Sequence, residues 1–137
     1  MFNPQCSSQT ARRFVILLHT GHGPAHYDLM IENGPALATW QFAANPLGLV
    51  GGYAEAPAVN ELAGRRLPDH RLAYLDYEGP VSGGRGEVKR VERGSCRVLA
   101  SQAGRWEAQL AGQALAGRFE LRRAGTGDEW IMIRLEK

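Results

Sequence analysis

The sequence predicts a mainly β protein: an antiparallel barrel or sandwich with one or two short helical segments. Three observations predict it. Short runs of branched and aromatic residues recur along the chain, several with strict apolar–polar alternation. Seventeen glycines and seven prolines in 137 residues supply many turns. One Asn-Gly pair, Asn33-Gly34, lies between two such runs. That dipeptide is a strong hairpin signal, because both of its positions tolerate positive φ.

The length fits one domain, and a chain of this size buries about two-thirds of its unfolded surface. Residues 1–12 are polar and aperiodic and read as a flexible tail; residues 13–137 read as the domain. RFVILLHT is the first strand, GHGP a loop, and AHYDLMIE the second strand. PALATWQFA returns after Asn33-Gly34, so residues 26–42 form a hairpin. The stretch from Asn45 to Tyr53 reads as loop, and AVNELAGRR as one or two helical turns. AYLDYEG, EVKRVERG and SCRVLAS read as three short strands. RWEAQLAG, GRFELRRA and EWIMIRLE follow. In the last two, Phe119 and Leu121 share a face, and Trp130 and Met132 lie opposite Ile131 and Ile133. Gly125 to Asp128 supplies the final turn. No fixed-period repeat and no linker interrupts the series.

Charge narrows the function. Sixteen basic and fourteen acidic side chains give a formal charge of +2. That is too balanced to hold nucleic acid by bulk charge, so any such role needs a local site. The longest apolar run, Phe14 to Leu18, is too short to cross a membrane. The first thirteen residues have no apolar core of signal-peptide length. Cys6 and Cys96 are far apart and form no CxxC unit. A cytoplasmic protein with reduced thiols is expected.

Three of the four histidines fall in HTGHGPAHYD: His19, His22 and His26. On a strand over 26–32, His26, Asp28, Met30 and Glu32 share one face, and Tyr27, Leu29 and Ile31 face the core. His19 ends the preceding strand and reaches the same place across the glycine loop. Two imidazoles and a carboxylate can bind a divalent metal with positions left for water and substrate. The carboxylate suits manganese or magnesium, and imidazole also admits zinc. His22 is a candidate extra loop ligand. Histidines around a glycine loop can equally cap turns, and no fixed metal motif is matched. A second cluster lies in DHRLAYLDYEG, where His70 and Tyr74 are four apart. Such a pair can donate to a phosphoryl oxygen, with the histidine as general acid. It can also be a loop end beside a packed tyrosine. Arg65, Arg66 and Arg71 cluster there and would suit an anionic ligand.

At these residues the chain resembles the 3′-phosphoesterase module at the N-terminus of bacterial DNA ligase D and its small stand-alone relatives. The matching stretches are RFVILLHTGHGPAHYDLMIENGPALATW, then DHRLAYLDYEGPVSGGRG, then LAGQALAGRFELRRAGTGDEWIMIRLE. The likeness runs from about Arg13 to Glu136. It implies a compact barrel with a manganese ion in its open mouth, held by His19, His26 and Asp28. It implies that His70 and Tyr74 bind or protonate a phosphate. The implied reaction is removal of a 3′-phosphate or 3′-ribonucleotide before repair ligation. The implied partners are a DNA 3′ end or primer–template and separate ligase or polymerase proteins. Met30 stands where the family has an arginine, and Arg71 and Arg85 are the candidates to take its place. The loop before His26 is one residue longer than usual, and the family's charged N-terminal arm is missing. A non-catalytic module that binds nucleic-acid ends or a partner protein is the second reading. A phosphoesterase for a small metabolite is the third.

Overall fold

A computed structural model describes residues 11–50 and 59–136. Nine strands run in chain order: β1 (Arg12–Thr20), β2 (His26–Asn33), β3 (Ala36–Phe42), β4 (Glu61–Arg71), β5 (Gly79–Pro80), β6 (Glu87–Gln102), β7 (Arg105–Gly112), β8 (Ala116–Arg123) and β9 (Glu129–Glu136). Their order in the sheet is β1-β2-β3-β4-β9-β8-β7-β6-β5, and a further β1–β6 pairing closes it. Eight strands thus form an antiparallel barrel, with the two-residue β5 attached outside it. The sandwich alternative is excluded by this closure, which also removes the sheet's edges.

Strand parity decides what fills the barrel. Phe14 and Ile16 of β1, Leu29 and Ile31 of β2, and Trp40 and Phe42 of β3 belong to one buried cluster. Trp106, Phe119, Leu121, Trp130 and Met132 from the later strands complete it. Each of the eight barrel strands contributes, so this cluster is the lumen. The predicted inward set of β2 and the predicted faces of β8 and β9 agree with it. Trp40 lies 5.1 Å from Trp106 and 5.8 Å from Trp130, both edge to face. The Arg66 guanidinium stacks over all three indoles, 4.5 Å from the Trp40 centroid. Buried Cys96 joins the same core, and burial pushes its thiol up to about 11. Cys6 lies outside the described residues.

A second, smaller cluster occupies the opposite face of the wall. Val15 and Leu17 of β1, Met30 of β2, Leu37 of β3 and Val88 of β6 point outward. They are covered by Leu75 and Val81, so the segment from Leu72 to Val81 roofs this outer face.

Five expectations about the elements are corrected. In AVNELAGRR the described residues 59–66 are not helical: β4 begins at Glu61 and is held by β9 on one side and β3 on the other. AYLDYEG is not a strand. Leu72–Leu75 is a 3-10 turn, because Leu75 must face down onto the outer cluster. EVKRVERG and SCRVLAS are one strand of 16 residues, β6. Its first part pairs with β1 and its second with β7. Arg12, expected in the tail, lies in β1 and pairs with Cys96; the rest of that expectation, residues 1–10, lies outside the described residues. The loop expected from Asn45 holds a 3-10 turn, Pro46–Leu49, capped by the Asn45 side chain. Its remainder from Gly51 lies outside the described residues. Among the described residues no helix is long and apolar enough to cross a membrane.

Candidate metal and phosphate site

The site grows from the register of the first hairpins. In the β1–β2 ladder His19 stands opposite His26, and Leu17 opposite Asp28. Directly opposed residues share a face. His19, His26 and Asp28 therefore share the outward face with Leu17 and Met30. This corrects the expected open mouth: the cluster sits near one barrel end, on the outside of the wall, because the lumen is already filled by apolar side chains.

A close backbone crossing brings the roof to β1. Gly86 has φ +81°, and a Cβ there would fall 2.0 Å from the Thr20 carbonyl oxygen. Only glycine permits this contact. It places the Arg85 carbonyl where His19 Nε2 donates to it at 2.6 Å. That bond leaves Nδ1 as the lone-pair nitrogen of His19. His26 Nδ1 donates to Asp28 Oδ1 at 2.9 Å, which leaves His26 Nε2 with the lone pair. The two rings stand edge to face, 4.9 Å apart. One ligand atom from each of His19, His26 and Asp28 lies within 4.8 Å of the others. Two imidazoles with fixed tautomers and a carboxylate form a cluster that can hold a divalent metal.

Asp28 is 3% exposed. Burial raises its carboxyl above the usual range, and His26, His70 and His19 pull it back down in part. A bound cation at this cluster would act in the same direction as the imidazoles.

The remaining expected residues converge on the same place. His22, His70, Arg71, Tyr74 and Arg85 line one cleft of about 610 Å³ with His19, His26 and Asp28. His70 comes from β4, where it pairs with Leu37, and its Nδ1 donates to the Pro68 carbonyl at 2.9 Å. Its Nε2 is thereby left to hold or deliver a proton. Tyr74 stands edge to face with His70 at 6.0 Å. It also stands edge to face with Tyr77, whose hydroxyl donates to the Pro80 carbonyl. Arg85 donates to Ser82 through Nε at 2.7 Å, which holds its side chain against the roof.

The expected arginine cluster is only partly formed. Arg66 points into the lumen over the tryptophans, and Arg65 is paired with Asp128 at 2.9 Å. Arg71 alone of the three lines the cleft. Met30 also lines it, but is 1% exposed and packs with the outer apolar cluster. Gln41 is a site residue that the sequence reading missed. It faces Asp28 across the β2–β3 ladder. The hairpin register set by Asn33-Gly34 pairs residues whose numbers sum to 69, and that sum points from Asp28 to Gln41.

No protein-family model matches the chain, and no curated protein matches it.

Proposed function

We propose that the protein is a metal-dependent phosphoesterase, similar in chemistry to the 3′-end-processing module of DNA ligase D. One observation carries the reading. His19, His22, His26, Asp28, His70, Arg71, Tyr74 and Arg85 line a single cleft, although they come from three separated stretches of chain; Arg65 and Arg66 do not line it. His19, His26 and Asp28 would hold the metal, and manganese is the first choice because the carboxylate is a hard ligand. When bound, a divalent cation supplies Lewis acidity at the phosphoryl group.

The chain's own groups account for the rest. Arg71 and Arg85 would bind phosphoryl oxygens, Arg71 having no acidic partner among the described contacts and Arg85 holding its fork against Ser82. Tyr74 would orient His70. Water attacks phosphorus and gives up a proton to bulk water, the ester P–O bond breaks, and the leaving oxygen takes a proton from Nε2 of the doubly protonated His70, whose Nδ1–H stays on the Pro68 carbonyl. Inorganic phosphate and a free alcohol result.

The test uses protein, manganese and a primer–template ending in a 3′-phosphate. Wild type should release phosphate, and His26→Ala and Asp28→Ala should lose release while staying folded. Absence of release by folded wild type overturns the proposal. Equal release by wild type and both variants overturns the assigned site.

A further inference from the structure

Trp130 and Met132 fill the lumen, so Ile131, Ile133 and Leu135 of β9 point outward. The β4–β9 ladder sets Ile131 opposite Ala63 and Ile133 opposite Glu61. The Arg134 amide donates to the Asn60 carbonyl at 3.4 Å, which carries the same register past the end of β4 and brings Val59 beside Leu135. Val59 is 39% exposed and Leu135 38%, and these are two of the four large apolar side chains exposed among the described residues. Apolar residues scattered singly on a surface are ordinary, but a contiguous exposed row marks an interface. We propose that this outer face of β4 and β9 is a docking surface for a basic amphipathic helix of a partner protein. The inference is independent of the reaction at the first cleft.

Charge selects the occupant. Arg65 shares this face but is paired with Asp128 at 2.9 Å. On β7 and β8, Arg105, Arg118 and Arg122 are tied to Glu107 and Glu120. Glu61 and Glu129, both exposed, border the row with no cationic partner among the described residues. The rim is therefore acidic, although the chain carries a formal charge of +2. Such a rim repels nucleic acid and anionic lipid. A second copy of the chain would bring its own Glu61 and Glu129 against these two. Lysines or arginines on either side of an apolar stripe complement the rim. Shape selects a helix. β9 is paired with β4 and β8, so an extended segment finds no free edge on the row. Small, exposed Ala63 leaves a shallow trough beside Ile131 and Ile133. The trough leads into a second cleft of about 630 Å³, which Ala43 also lines and which meets the first cleft at His26. Apolar side chains at successive turns of a helix can follow such a line. Along the strands Glu61 and Glu129 are about 13 Å apart, roughly two and a half helical turns.

The probe is a synthetic helical peptide of leucine, alanine and lysine, with the leucines in one stripe and lysines on both sides of it. Titrated into isotope-labelled protein, it should shift the backbone amide signals of Ala63, Ile131, Ile133 and Leu135. A peptide of the same composition with its leucines scattered should leave them in place. Ile133→Lys should weaken binding about tenfold. Leu135→Lys, at a more exposed position, should do likewise if Ile133→Lys fails to fold. Glu61→Lys combined with Glu129→Lys keeps the apolar row and reverses the rim. That double variant should lose the lysine peptide and bind a version with glutamate in place of lysine, which wild type should not bind. Shifts confined to other surfaces, no shifts, or equal binding of the striped and scattered peptides overturn the inference. An unchanged charge preference in the folded double variant also overturns it. Self-association of the protein, or binding to phosphatidylserine vesicles, that Leu135→Lys abolishes would assign the row to another occupant and overturn it as well.

Discussion

Asp28 and Glu92 are both 3% exposed, yet their surroundings are opposite. Glu92 Oε1 accepts from the amides of Arg93 and Gln113, and Oε2 from those of Ala114 and Leu115. It ties β6 to the turn between β7 and β8 and has no oxygen left over for a ligand. Asp28 has one partner of this kind, His26, and otherwise looks toward His19 and His70. A buried carboxylate whose lone pairs are consumed by backbone amides holds a fold together. One that faces several imidazoles in a cleft is available for chemistry.

The largest effect that would break this contrast belongs to Glu92. Glu92→Leu strands four backbone amides and should cost about 3–5 kcal/mol in urea unfolding. Glu92→Gln keeps one carbonyl oxygen and should cost about half as much. Metal uptake by either variant, where folded, should equal that of wild type. Asp28→Ala reverses the pattern. Manganese affinity by calorimetry should fall ~100-fold or more, since losing even an outer partner of a ligand costs up to that much. Undiminished metal content in that variant would contradict the ligand set.

The smallest effect sharpens the contrast through pH. In metal-free protein the unfolded chain releases the Asp28 proton near 3.8, while the folded chain keeps it to higher pH. The folded state therefore binds more protons across that window, and stability falls as pH rises through it. Asp28→Asn should match wild type below pH 3.8 and have the higher melting temperature above the window. Addition of manganese should stabilise wild type alone. A lower melting temperature for Asp28→Asn at neutral pH would show that the His26 contact outweighs burial.

Much of the fold was legible because the barrel's inner face is apolar and its turns are marked. β7 and β9 match the expected segments, and the 26–42 hairpin follows from Asn33-Gly34. β4 was illegible because its sequence, ELAGRRLPDHR, is polar and carries Gly64 and Pro68. Its pairing comes from β3 and β9, which are distant in sequence. β6 looked like two strands because Gly94 reads as punctuation. A Cβ there would meet the Ala111 carbonyl oxygen at 2.2 Å, so that glycine permits strand approach rather than a turn. The histidine–aspartate cluster was readable from parity and the β1–β2 loop. The roof over it was not, since only the folded β1–β3 surface gives Leu75 and Val81 something to cover. The inward turn of Arg66 was hidden for the same reason: it answers to three tryptophans scattered from 40 to 130.

The tryptophan cluster has a practical consequence in spectroscopy. All three indoles of the chain are packed in the lumen, within 5.1 and 5.8 Å of one another about Trp40. None lines either of the two clefts that meet at His26. Their emission and their coupled near-ultraviolet dichroism should therefore follow unfolding of the barrel and stay nearly silent while the outer face is loaded. The molecule carries an intrinsic reporter of its scaffold that is separated, by the thickness of one sheet, from the place where ligands are expected.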